Sequence, residues 1–391
     1  MGEVIADHRK KRGYRTQEAF AIATGVDKRT IQEWETNTMT TDMGRRIFLA
    51  KLLSIPPALL GLEWHQIVSE TGGEAHQNPL LSMAELLEED AFYAYEDILV
   101  MGHEYIHNGG SVDVALRVAR RLRKLEKVVL HAREPEKEAW LSLLCRYYQL
   151  SSRLRQQCLK DDVTASRHAC LAVRLARDLE DQELLAAALV HSACTSTQQG
   201  NYKQARQDIA AALTSIDRLK NSPLKGNIYL EAANINTPFA TTDRALQQQC
   251  RLWQEKAANL LYKGQAESDD TFFRFNLSAV HHEKAKSLLR WQNSLAERRA
   301  AQSKLTTAHE TLPPELAVWR AYYHITEARL YLADNDLEAA AQTAKAALKV
   351  ARGLHSRLVE SEVEAFYAQL TTLGPTNPYV QNLGVEIGVF S

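Results

Sequence analysis

The chain has 391 residues, a formal net charge of -1, and 45% hydrophobic and 24% charged residues. That length exceeds one compact core and the composition excludes a disordered chain, so two or more packed units are expected, one of them small. The balanced charge excludes a whole-chain basic field, leaving any nucleic-acid affinity to a local patch, and no stretch approaches the ~20 apolar residues of a membrane span, so a cytoplasmic protein without a membrane partner is expected.

Residues 1–67 are predicted to hold short helices separated by turn signals. Val4 to Arg12 forms a basic first helix ending at Gly13. Thr16 is placed to cap a second helix, Gln17 to Thr24, by accepting from an orphan backbone N–H. Gly25 supplies the turn, and Asp27 caps a third helix, Lys28 to Glu35. Ile31 and Trp34 lie three apart and share a buried face, leaving Lys28, Arg29, Gln32 and Glu33 outward. A further pair runs from Ile47 to Leu53 and from Pro57 to Leu62.

The run TQEAFAIATGVDKRTIQEWETN, continued by RRIFLAKLLSIPPALLGL, resembles the Cro/phage-repressor (XRE) helix-turn-helix family over about the first 65 residues. Gln17, Ala21, Gly25, Thr30-Ile31 and Trp34-Glu35 carry the likeness. Phe20 stands where the family usually has Leu, and Asn37 where Gly is common. The resemblance implies a DNA-binding head of five helices whose third helix enters the major groove. Carried over by position, Lys28, Arg29 and Glu33 reach bases, with Gln32 on the same exposed face. Gln17, Thr36, Asn37 and Thr38, assisted by Arg15, meet phosphate. Arg and Lys suit guanine and Glu accepts from cytosine, which implies a G/C-containing half-site. Glu35 is expected to pair with Arg9 or Arg12, and Trp34 to be core. One small head reads few base pairs, so a homodimer on double-stranded DNA is expected. The plain alternative is a solvated charged face.

Residues 68–80, with Gly72, Gly73 and Pro79 among small polar residues, read as a linker. Residues 81–374 read as all-α. Within them AALVHSACTSTQQGNYKQARQDIAAAL sets a turn at Gly200-Asn201-Tyr202 before Ala205, Ile209 and Ala212. ITEARLYLADNDLEAAAQTAKAAL does so at Asp334-Asn335-Asp336-Leu337 before Ala340, Ala344 and Ala347, with Asn where the first copy has Gly. The spacing resembles tetratricopeptide repeats, implying a helical solenoid with a concave face. Weaker copies fall at Gly110 with Ala115 and Ala119, at Ala169 with Val173 and Ala176, and at Asn293 with Ala296 and Ala300; an irregular bundle is the alternative. The five cysteines, Cys145, Cys158, Cys170, Cys194 and Cys250, form no Cys-x-x-Cys pair and read as reduced core residues. Gly374-Pro375 breaks the pattern, so residues 375–391 are expected to be a non-helical tail.

His103-Glu104-Tyr105-Ile106-His107 fits the H-E-x-x-H spacing of zinc peptidases, with Glu126 available as a third ligand. In repeat register the same histidines are helix-surface or groove residues before a turn, so no metal, cofactor or catalytic residue is assigned.

An XRE-type head on a tetratricopeptide-like body is similar to peptide-sensing bacterial regulators. That likeness implies a ligand-controlled transcription factor holding a short peptide or a protein in its concave groove. Such a groove needs polar groups for the ligand's backbone and pockets for its side chains. The candidates are Arg146, Tyr147, Asn234, Asn236, Arg274, Asn276, Arg320 and Tyr323, each also readable as a solvated or half-buried surface residue. The competing functions are an interaction scaffold without a specific operator and, on the zinc motif, a peptidase.

Overall fold

A computed structural model describes residues 2–11, 14–24, 26–36, 92–109, 113–132, 136–262, 273–291 and 294–389, together with Arg46, Leu49, Leu53, Ile55 and Leu60. The described residues hold seventeen α-helices and no strand, so the fold is all-α. Among them, no helix is long and apolar enough to cross a membrane. The chain divides into two compact units, Met1–Ala91 and Phe92–Ser391.

In the first unit, α1 (Gly2–Lys11) and α2 (Gln17–Thr24) both pack on α3 (Lys28–Thr36). The ends of the helices are set locally. Thr16 Oγ1 accepts from the Ala19 N–H at 3.0 Å, and Asp27 Oδ1 accepts from the Arg29 N–H at 2.7 Å. Each side chain satisfies a donor that the first helical turn leaves without a partner. Ile5, Phe20, Ile31, Trp34, Leu49, Leu53, Ile55 and Leu60 form the core. Phe20 is fully buried, its ring 5.2 Å from that of Tyr14. The expected helices Ile47 to Leu53 and Pro57 to Leu62, and the linker 68–80, lie largely or wholly outside the described residues.

The second unit is built from helices that pack on their chain neighbours. They are α4 (Phe92–Asn108), α5 (Asp113–His131), α6 (Glu136–Leu154), α7 (Asp162–Asp178), α8 (Gln182–Gln198), α9 (Tyr202–Thr214), α10 (Ser222–Asn236) and α11 (Arg244–Tyr262). After these come α12 (Leu277–Trp291), α13 (Leu295–Glu310), α14 (Ala317–Ala333), α15 (Leu337–Gly353), α16 (Arg357–Leu373) and α17 (Pro378–Ile387). The first member of each pair also touches the first member of the next, from α4 through α6, α8, α10, α12 and α14 to α16, which makes a continuous inner wall. That wall meets itself, because α4 packs on α14 and a π-helical turn after α6, Arg155–Leu159, packs on α16.

Two features of the sequence produce these pairs. The first is alanine on the packed face. Ala169, Ala172 and Ala176 in α7, Ala205 and Ala212 in α9, and Ala340, Ala344, Ala347 and Ala351 in α15 are all buried, and side chains this small let helix axes come close. The second is a two-residue turn in which a left-handed residue precedes an N-cap. Lys160, Glu180, Gly200 and Asn335 have φ of 51°, 55°, 74° and 60°. The residue after each, Asp161, Asp181, Asn201 or Asp336, caps the next helix through its side chain. Asn335 adopts the left-handed backbone expected of it, which a short polar side chain tolerates at lower strain than most.

Several expectations need correction. Residues 375–391 are not a non-helical tail. Pro378 opens α17, Asn377 Oδ1 accepts from the N–H groups of Tyr379 and Val380, and Val380 and Leu383 are buried against the preceding helices. Ala296 and Ala300 are exposed, the packed face of α13 being Ala301, Leu305 and Ala308. All five cysteines are free, but Cys170 is exposed rather than core.

Candidate functional site

On α3 the buried side, Ile31 and Trp34, fixes the opposite side outward. Lys28, Arg29, Gln32 and Glu33 are all exposed. Lys28 Nζ lies 3.2 Å from Glu18 Oε2, and Arg29 lies 3.7 Å from Glu33 one turn along. Exposed pairs of this kind contribute about 0–1 kcal/mol, so either is easily exchanged for a contact with another charged surface.

The same helix is anchored from behind. Arg9 Nε and Nη2 donate to the two oxygens of Glu35 at 2.5 and 3.2 Å, and Gln17 Nε2 donates to Glu35 Oε2 at 2.9 Å. The Arg9 and Glu35 side chains are only 4% and 8% exposed. Burial raises the Glu35 pKa, but the hydrogen bonds from Arg9 and Gln17 outweigh it and hold the carboxyl below its ordinary value. Gln17, expected at phosphate, therefore has its amide turned to Glu35. Thr36 donates its hydroxyl to the Gln32 carbonyl at 2.8 Å. Asn37 and Thr38 lie outside the described residues.

In the second unit, the inner wall encloses ionisable side chains from distant parts of the sequence. His103 and His107 of α4 and His191 of α8 are buried. Burial, followed by the guanidinium of Arg153 on α6, holds the pKa values of His103 and His191 well below normal. The charge of Arg153 also reaches Cys194 and Tyr322, so it stands near groups on α4, α8 and α14. Beside these groups runs a polar chain. Glu231 accepts from Asn234 Nδ2 at 3.2 Å, and Lys286 Nζ donates to Asn234 Oδ1 at 3.0 Å and to Glu283 Oε1 at 2.8 Å. Burial, then repulsion from Glu283, raises the Glu231 pKa. Farther along, Arg329 donates to Glu362 at 2.9 Å across α14 and α16. These polar groups satisfy one another across successive inner helices.

The candidate groove residues separate under this geometry. Asn234 belongs to the polar chain, and Arg274 lies near His103, contributing to its lowered pKa. Tyr147 and Tyr323 are fully buried and bonded to the Tyr95 carbonyl and to Ser278, so they pack between helices instead of lining an open face. Asn236 is buried, accepts from Arg206 and donates to the Ala232 carbonyl. Asn276 accepts from the Ala279 N–H at 2.9 Å, a capping contact at the start of α12. Arg146 is half-buried and Arg320 exposed. Sequence reading missed Arg153, His191, Glu231, Glu283 and Lys286, which become neighbours only when successive inner helices stack; helical spacing alone carries no such signal.

The H-E-x-x-H residues also sit differently from the surface or groove position expected. His103 and His107 are buried, whereas Glu104 is exposed, about 100° around the helix from His103. Glu126 accepts from the Tyr148 hydroxyl at 2.8 Å. Among the described residues the grouping of potential ligand atoms falls elsewhere, at His309, His324 and Glu327. No protein-family model matches the chain, and no curated protein matches it significantly.

Proposed function

We propose that this protein is a sequence-specific DNA-binding transcriptional regulator of the XRE type. In this reading the Met1–Ala91 unit is a helix-turn-helix head that binds double-stranded DNA as half of a homodimer. The Phe92–Ser391 unit is a tetratricopeptide-like solenoid whose polar interior receives a short peptide or protein segment.

The observation that carries the reading is α3, an Asp27-capped helix whose rear face is buried at Ile31 and Trp34 and tied through Glu35 to Arg9, leaving Lys28, Arg29, Gln32 and Glu33 outward. A rigidly held helix with charged donors and an acceptor on its free face suits base-edge recognition in the major groove. The interior around Arg153 supports the sensing half, since a ligand held there would touch several inner helices at once. A ligand switches the protein only through different affinities for two arrangements of those helices. Sedimentation of the full chain with duplex DNA from upstream of its own gene tests the assembly: two chains per duplex agree with the proposal, and one chain per duplex opposes it.

A second reading, an interaction scaffold without an operator, draws on the ion pairs of Lys28 with Glu18 and of Arg29 with Glu33, which already occupy the charged face. It expects sequence-blind DNA binding that salt abolishes.

A further inference from the structure

We propose that His309, His324 and Glu327 form a binding site for a divalent transition-metal ion of the zinc class, joining two successive helix pairs. His309 lies in the last turn of α13, and His324 and Glu327 lie one turn apart on α14. The His324 Nδ1 to Glu327 Oε2 distance is 3.3 Å, and His309 Nε2 is 3.9 Å from the same oxygen. One donor atom from each residue lies within 4.8 Å of the other two. Donors on a tetrahedral ion with ~2.05 Å bonds sit roughly 3.3 Å apart, so His324 and Glu327 already have that spacing and His309 needs a small rotation.

The surroundings fit a ligand set better than a chance surface cluster. His309 Nε2 is buried and has no hydrogen-bond partner, a cost that an ion would remove. Tyr331, one turn along α14, has its phenol close enough to Glu327 to interact with the carboxylate. Tyr323 stands edge-on to the His309 ring at 5.4 Å, its own hydroxyl fixed 2.7 Å from Ser278. The side chains of His309, His324 and Glu327 are 28%, 25% and 22% exposed, enough for an ion to enter and little enough to limit competing water. Two imidazoles and one carboxylate match zinc and its neighbours rather than magnesium or calcium, and leave a fourth position for water. The site does not depend on the DNA-binding reading. Because it spans the α13–α14 junction, occupancy would fix the angle between consecutive helix pairs.

The test is Co2+ titration of the chelator-treated full chain, read by visible d–d absorption. The expected result is one Co2+ per chain, displaced by Zn2+, with affinity lowered at least about 10-fold in His309→Gln and in Glu327→Gln. Tyr331→Phe, which keeps the ligands and the packing, is expected to weaken binding about 10-fold with an unchanged circular dichroism spectrum. The exposed control His131→Gln should bind as the parent does. Absence of a visible band at one equivalent, or equal binding by the parent and all three site variants, would overturn the proposal.

Discussion

Trp319 on α14 donates its indole N–H to Nδ1 of His107 on α4 at 3.1 Å, across 212 residues of sequence. An accepting Nδ1 places the imidazole proton on Nε2. The bond lies where the inner wall meets itself, and Gly109, just past α4, packs so closely on Leu354 that an added Cβ would lie 2.6 Å from the Leu354 side chain. A cavity of only about 10 Å³, room for one water, remains near this contact, lined in part by Tyr105, Cys158, Val318 and Leu354.

Trp319→Phe keeps the aromatic packing but removes the donor. It is expected to destabilise the second unit by about 1–3 kcal/mol, the usual cost of a buried acceptor losing its donor. Hydrogen exchange by mass spectrometry should show faster exchange in α4 and α14, with α8 and α9 unchanged. Uniform protection across all four helices would mean that the closure contributes nothing.

Glu35 is the residue on which the first unit turns. Glu35→Ala leaves the nearly buried Arg9 guanidinium without its carboxylate and is expected to destabilise this unit by about 3 kcal/mol. Exchange should rise in α1, α2 and α3 together. Loss confined to the end of α3 would show that the pair only trims the helix terminus.

Acid should loosen the second unit before the first. His103, His191 and His282 are held well below the ordinary value of 6.5, mainly by burial. The unfolded chain takes up protons near pH 6.5 while the folded one does not, so their contribution is complete above 6.5 and is lost as pH falls. The loss is about 1.4 kcal/mol per pH unit for each histidine. Glu35, lowered from 4.5, contributes above that value and loses its contribution only below it. Thermal melts at pH 7.5, 6.5 and 5.5 are expected to show the body's transition falling while the exchange protection of α1 to α3 holds. A body transition indifferent to pH over this range would contradict the burial of these imidazoles.

Much of the first unit was legible because its signals are local. Thr16 and Asp27 announce the helix starts, Ile31 and Trp34 share a face at helical spacing, and Glu35 pairs with Arg9 as the XRE resemblance implies. Gly200 and Asn335 likewise mark left-handed turns through their own backbone preferences. The final helix escapes the sequence pattern because Gly374-Pro375 reads as an ending, although Asn377 before Pro378 is itself a start signal. The register of α13 failed because Ala296, Ala300, Ala301 and Ala308 offer two alternative small faces, and tertiary packing chooses between them. The interior was the least legible part. Tyr147 and Asn234 are alike as polar residues on inner helices, yet one hydroxyl is used at Tyr95 while the other side chain joins Lys286, and only the stacking of neighbouring inner helices decides which.

We infer that the free face of α3 reads DNA. The most direct measurement is binding of the full chain to duplex DNA from upstream of its own gene, against Lys28→Ala/Arg29→Ala, at several salt concentrations. Saturable, site-selective binding is expected, weakened about 100-fold or more in the double variant, as two lost base contacts require, with a salt slope set by the phosphate contacts that remain. Weak binding that is blind to sequence, erased by salt and equal in both proteins would contradict it.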